Sequence, residues 1–152
     1  MSVLDIKLFP THGPYIELAS LPEAILEEES RWPRRALYEQ HIFFAWADDL
    51  VWTMCSVSQS ELFFDPYEYI EYRKTQEIYR FSAQILSWAS RMASIPEPYF
   101  DSKISIYQNS LADMDCRTGR HLKADMIETL LFIAEQVNDV IRDGRCLGVV
   151  GI

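Results

Sequence analysis

The chain has 152 residues, of which 49% are apolar, 13% aromatic and 24% charged. That composition supplies one hydrophobic core and excludes disorder as the default state, and the length admits a single domain spanning 1–152. Fourteen basic residues against 23 acidic leave a net charge of −9, which speaks against a nucleic-acid binder, because such a protein displaces counterions from phosphates with Lys and Arg.

Residues 3–18 hold two partly alternating apolar runs around Pro10, Gly13 and Pro14, the pattern of an extended arm or small hairpin within residues 1–19. Ser20-Leu21-Pro22-Glu23 reads as the start of a short helix reaching about Ser30, which Trp32-Pro33 interrupts. From Pro33 to about Ser56, Ala36, Phe43, Ala47, Leu50 and Met54 recur at helical spacings. Trp46 and Trp52 make the opposite side apolar as well, so this helix is central in a bundle or turns a second face to a partner. Asp65-Pro66 reads as another helix start, with aspartate as cap and proline in the first turn. That helix reaches about Ala93 on a stripe of Tyr67, Ile70, Ile78, Phe81, Ile85, Trp88 and Met92. Pro96 and Pro98 stop it, and Asp101 caps a shorter helix through Leu111. A last helix spans about Arg120 to Asp143, with Gly144 supplying a left-handed terminator. The apolar tail 147–152 docks on the body or adds an extended edge. The expected architecture is an all-α bundle of four to six helices.

No stretch is long and apolar enough to span a membrane: the richest, Ile42 to Met54, is broken by Asp48 and Asp49. Met1 to Phe9 lacks the apolar core of a secretory signal. Cys55, Cys116 and Cys146 show no C-x-x-C spacing. Reduced thiols in the cytoplasm fit them better than zinc ligands or disulfides.

The negative charge is segregated. Residues 17–71 hold twelve acids and only Arg31, Arg34 and Arg35, whereas residues 72–152 are neutral with ten of each sign. Such a field steers a basic partner and speeds encounter. Within it lies Asp65-Pro66-Tyr67-Glu68-Tyr69-Ile70-Glu71-Tyr72. On a helix whose core stripe uses Tyr67 and Ile70, Tyr69 and Tyr72 point outward beside Glu68 and Glu71. Tyrosine rings among carboxylates suit protein recognition, because the ring fills a pocket and the acids meet Lys or Arg. The candidate partner-binding residues are therefore Asp49, Asp65, Glu68, Tyr69, Glu71 and Tyr72.

Catalytic patterns are weak. Glu68 and Glu71 have the three-residue spacing of Mg²⁺-binding helical hydrolases, but Glu135 and Asp139 are four apart. His12, His41 and His121 lack a glutamate three residues earlier, so a di-iron bundle site fails. Neither Cys116 with His121 nor the single glycines after Thr118 and Asp143 form a nucleophile pair or phosphate loop. Arg117, Arg120 and Lys123 form a small basic cluster suited to salt bridges. No catalytic residue, cofactor or metal is expected.

Ile141-Arg142-Asp143-Gly144-Arg145-Cys146-Leu147-Gly148-Val149 resembles the I-R-x-G-R-x-L-x-V ending of small helical bacterial immunity proteins. The resemblance covers nine residues. It implies a cytoplasmic, non-enzymatic inhibitor that covers the active site of a toxin or effector domain; charge and hydropathy, for their part, predict no nucleic-acid or membrane partner. The alternatives are a small Mg²⁺-dependent hydrolase and a structural or adaptor subunit.

Overall fold

A computed structural model describes residues 15–26, 32–104 and 122–151. In chain order the elements are β1 (Tyr15–Leu21), α1 (Arg35–Tyr38) continuing into a 3-10 turn (Glu39–His41), β2 (Ile42–Ala47), α2 (Asp48–Val57) and β3 (Tyr69–Tyr72). There follow α3 (Thr75–Ser94), α4 (Glu97–Ile104), α5 (Leu122–Arg142) and β4 (Cys146–Gly151). The four strands form one sheet in the order β2-β1-β4-β3, every neighbouring pair antiparallel. The fold is mixed α/β, and the expectation of an all-α bundle is corrected.

Each difference has a local cause. Ile42-Phe-Phe-Ala-Trp-Ala47 is six apolar residues in a row. A run that short and unbroken has no period that separates a buried strand from a helix. Its aromatic content favours the strand, and only at Asp48 does the chain turn helical. Tyr69-Ile-Glu-Tyr72 is likewise a strand, so the expected helix from Asp65 begins ten residues late, at Thr75. Ser20 lies inside β1 and residues 22–26 are irregular, so no helix starts there. The tail lies at the centre of the sheet, between β1 and β3. The rest of the helix expected to about Ser30, residues 105–111 of the helix expected from Asp101, and the basic pair Arg117 and Arg120 lie outside the described residues.

The two long helices agree with their periodicity. α3 buries Ile78, Phe81, Ile85, Trp88 and Met92, together with Ser82 and Ala89. α5 buries Met126, Leu130, Ile133, Val137 and Val140. They run antiparallel: Ser82 Oγ donates to the Ala134 carbonyl at 3.4 Å. At their other end Lys123 Nζ donates to the Ile95 carbonyl at 2.6 Å, satisfying the end of α3. This pair covers one face of the sheet, packing on Ile16, Leu18, Phe44, Leu147 and Val149. Each such fully buried side chain contributes about 1.5–3 kcal/mol. The opposite face carries a thinner layer, in which Ala19, Leu21, Tyr69 and Val150 meet Tyr38, Ile25 and Leu26.

Two glycines are required by geometry. Gly144 has φ +63°, the left-handed residue that ends α5. At Gly151 an added Cβ would lie 1.6 Å from the Pro66 carbonyl oxygen, so the turn before β3 rests directly on the backbone of β4. Gly151→Ala is expected to destabilise the fold by about 1–3 kcal/mol, as overpacking does. Chemical denaturation checks this, and an unchanged midpoint would show that the turn is not held against β4.

Candidate functional site

The segment Asp65–Tyr72 begins as a turn and becomes a strand. Asp65 Oδ1 accepts the Tyr67 N–H at 2.9 Å, an aspartate-stabilised turn in place of the expected helix cap. From Tyr69 side chains alternate between the faces of the sheet. Tyr69 and Glu71 face the thin layer, and Ile70 and Tyr72 face the helices. The helical reading is thereby inverted. Tyr67, assigned to the core, is 58% exposed, and Tyr69, assigned to the surface, is 7% exposed. Tyr72 is half-buried against Phe81, with ring centroids 5.7 Å apart. Asp65 and Glu68 remain exposed. Asp49 lies in the first turn of α2, its side chain outside the described set. The structure thus brings Asp65, Tyr67 and Glu68 together on the surface and turns Tyr69, Glu71 and Tyr72 inward.

Glu71 is an internal clamp. Its side chain is 2% exposed. Oε1 accepts the backbone N–H groups of Ile25 and Leu26 at 2.7 and 2.8 Å and the Tyr69 hydroxyl at 2.7 Å. Oε2 takes the Arg73 guanidinium at 2.9 Å, and Arg73 also donates to the Leu26 carbonyl at 3.1 Å. One carboxylate therefore straps residues 22–26 across the sheet. Burial by itself raises its pKa, but the bonds from Tyr69, Ile25, Leu26 and Arg73 together outweigh it and hold the carboxyl below its ordinary value. The Tyr69 hydroxyl is pushed far up by burial and then by Glu71, so it stays a donor.

Glu17, on the same face, is the opposite case. It is 9% exposed, and Arg35 reaches Oε1 only at 3.4 Å. Oε2 is buried with no hydrogen-bond partner among the described residues. Burial raises this carboxyl, Arg35 offsets part of the rise, and Glu39 adds to it. Sequence reasoning counted Glu17 among the outer acids, because a glutamate in a partly alternating run reads as the solvent side of a strand. Tyr67 was assigned to the wrong environment because of the helix misreading.

The other candidates are structural. Lys123 supports the end of α3. Asp139 pairs with Arg142 along α5, and His41 Nδ1 lies 3.4 Å from Arg145 Nη2. Cys55 is buried and donates to the Ser60 carbonyl, and burial raises the thiols of both Cys55 and Cys146. Among the described residues no group of three or more His, Cys, Asp or Glu side chains is placed to hold a metal ion. Among them, too, no helix is long and apolar enough to cross a membrane.

The two inward carboxylates give opposite pH dependences. Glu71→Ala, which strands two backbone donors, a hydroxyl and a guanidinium, should cost about 2–4 kcal/mol at pH 7. Because the folded pKa of Glu71 is depressed, its contribution is complete above the ordinary carboxyl value of 4.5 and is lost as pH falls through the folded value. For Glu17 the folded pKa is raised, so its ionisation costs stability as pH rises past 4.5 and through the folded value. Glu17→Gln should therefore raise the melting temperature at pH 7, with no gain below pH 4.5. Thermal melts across pH 3–8 (about the full carboxyl range) check both, and a gain that persists in acid would refute the assignment to Glu17. Comparison with protein-family models, with curated proteins and with solved structures finds no match.

Proposed function

We propose that this chain is a non-enzymatic protein-binding inhibitor of the immunity or antitoxin kind, acting in the cytoplasm on a basic toxin or effector domain. The observation that carries the reading is the exposed turn Asp65-Pro66-Tyr67-Glu68, where a tyrosine ring 58% open to solvent stands between two surface carboxylates. A tyrosine anchor offers a large rigid contact with few torsions to immobilise, and flanking acids raise the encounter rate with a positive surface. Glu61, two residues ahead of the aromatic pair Phe63 and Phe64 closing the core, adds exposed negative charge on the same loop. The turn itself is held by the Asp65 bond to Tyr67 and by the Gly151 N–H donating to the Glu68 carbonyl at 3.3 Å. Its presentation is therefore fixed before any partner arrives. The C-terminal resemblance to immunity proteins, over Ile141–Val149, points the same way.

The test uses the protein encoded by the adjacent reading frame as the binding partner. Tyr67→Ala is expected to weaken the complex by about 2 kcal/mol, mainly through faster dissociation. Glu68→Lys should slow association and flatten its salt dependence, as loss of a rim charge does. Surface plasmon resonance at two ionic strengths separates the two effects. Rates unchanged by both substitutions would place the interface elsewhere and remove the basis of this reading.

A further inference from the structure

At the end of β3 away from the acidic turn, a cleft of about 240 Å³ opens between the strand and α3. Phe63, Tyr72 and Phe81 make its apolar wall, and Glu77, Arg80 and Gln84 make the rest. The wall is fixed, because Phe81 is buried and meets Phe63 edge-on at 5.0 Å and Tyr72 at 5.7 Å. The polar side comes from one face of α3, at positions three and four residues apart. Glu77 makes one long contact, accepting the Lys74 N–H at 3.4 Å, and has no ion-pair partner among the described residues. The Tyr72 hydroxyl, the Arg80 guanidinium and the Gln84 amide likewise have no hydrogen-bond or ion-pair partner there.

Of the two charged side chains in the lining, Glu77 is partly buried and Arg80 is exposed. The Glu77 carboxylate also adds to burial in raising the Tyr72 hydroxyl. The acceptors of the cleft are the Glu77 carboxylate, the Gln84 amide oxygen and the Tyr72 hydroxyl oxygen. A volume of about 240 Å³ is below that of drug-sized sites, about 300–1,000 Å³, and suits one long side chain. A cationic chain with an apolar stem matches it: the methylenes lie along Phe63 and Tyr72, and the head meets the carboxylate and the ring. Arginine fits better than lysine because a planar head with several N–H groups can serve three separated acceptors at once.

We propose that this cleft is the anchor pocket for a single arginine side chain of the basic partner, with Glu77 as its counter-ion. The proposal rests on the protein-binding reading and places a second contact of that interface at the far end of β3 from Tyr67. Arg80 is then the unfavourable neighbour, a like charge at the rim.

The probe is Nα-acetyl-L-arginine N-methylamide, titrated into the full chain while NMR follows the Gln84 side-chain amide and the Phe63 and Tyr72 ring signals. Saturable shifts at those three residues are expected. Glu77→Gln, which keeps an acceptor for Lys74, should weaken the probe about fivefold, the size of a partly exposed ion pair, and Arg80→Ala should strengthen it. Equal shifts from the uncharged norleucine analogue would show an apolar pocket only. Loss of binding in Arg80→Ala would show that Arg80 builds the site rather than opposing the probe, and absence of saturation would show no site; each overturns the proposal. No partner protein is needed, so failure here leaves the Tyr67 reading standing. Probe binding that survives Tyr67→Ala keeps the two tests separate.

Discussion

Strand β4 is paired on both sides, to β1 over Ile16–Leu21 and to β3 over Tyr69–Tyr72, so among the described residues β3 joins the sheet only through it. Its residues must therefore be buried on both faces, and Leu147, Val149 and Val150 are. The pairing is also the most non-local among the described residues: Arg145, just before β4, donates to Ser20 of β1 across 125 positions of chain. Loop-closure entropy opposes such a contact until other structure has brought its ends together. The antiparallel pair α3 and α5 sets β4, which follows Gly144, beside β3, and the pairing with β1 closes the longer stretch of chain. A left-handed glycine and an apolar hexapeptide thus control whether the Asp65–Tyr72 segment has a strand to lean on. The acidic turn inherits its position from the same place, since Gly151 touches Pro66.

The thin face of the sheet shows how one residue type plays two roles. Glu71 receives four donors and becomes the strap for residues 22–26. Glu17, two strands away, receives one distant guanidinium and keeps an orphaned oxygen. A buried carboxylate is tolerable when its lone pairs are filled and costly when they are not. The first arrangement explains why Tyr69 is inside: its hydroxyl is part of the set of donors that makes Glu71 tolerable. A tyrosine and a glutamate two apart on a strand share a face and can bond, whereas on a helix the same pair diverges.

The long helices were legible because their apolar positions repeat over five turns, enough to define a period. Gly144 was legible because one residue type dominates that conformation. The strands were not. β2 is uniformly apolar, so it carries no alternation to read, and β3 is four residues long with an aspartate-proline ahead of it that serves turns and helix caps equally. β4 looked like a loose tail because nothing local says that an apolar terminus will be inserted between two distant strands. The error at β3 carried into the candidate site, since a change from period 3.6 to period 2 exchanged Tyr67 with Tyr69. The candidate residues other than Asp49 share one segment, within which the tyrosines at 67 and 69 take the opposite environments from those expected. Glu17 was misplaced for a different reason: nothing within the strand's own sequence tells a buried glutamate from an exposed one.

The inversion also reshapes the electrostatic argument. Of the twelve acids counted between positions 17 and 71, Glu17 and Glu71 face the interior and are opposed by Arg35 and Arg73, so they add little to the outer field. Glu23, Glu39, Glu61, Asp65 and Glu68 are exposed, and the last three lie on the single loop joining α2 to β3. A field concentrated on one loop orients an approaching cation more sharply than the same charge spread along a helix, because attraction between exposed charges is screened beyond about 10 Å. On the proposed reading, the loop's carboxylates steer a positive surface toward Tyr67, and Tyr72, five residues further on, lines the aromatic cleft at the other end of β3. A partner would have to match both contacts across that strand.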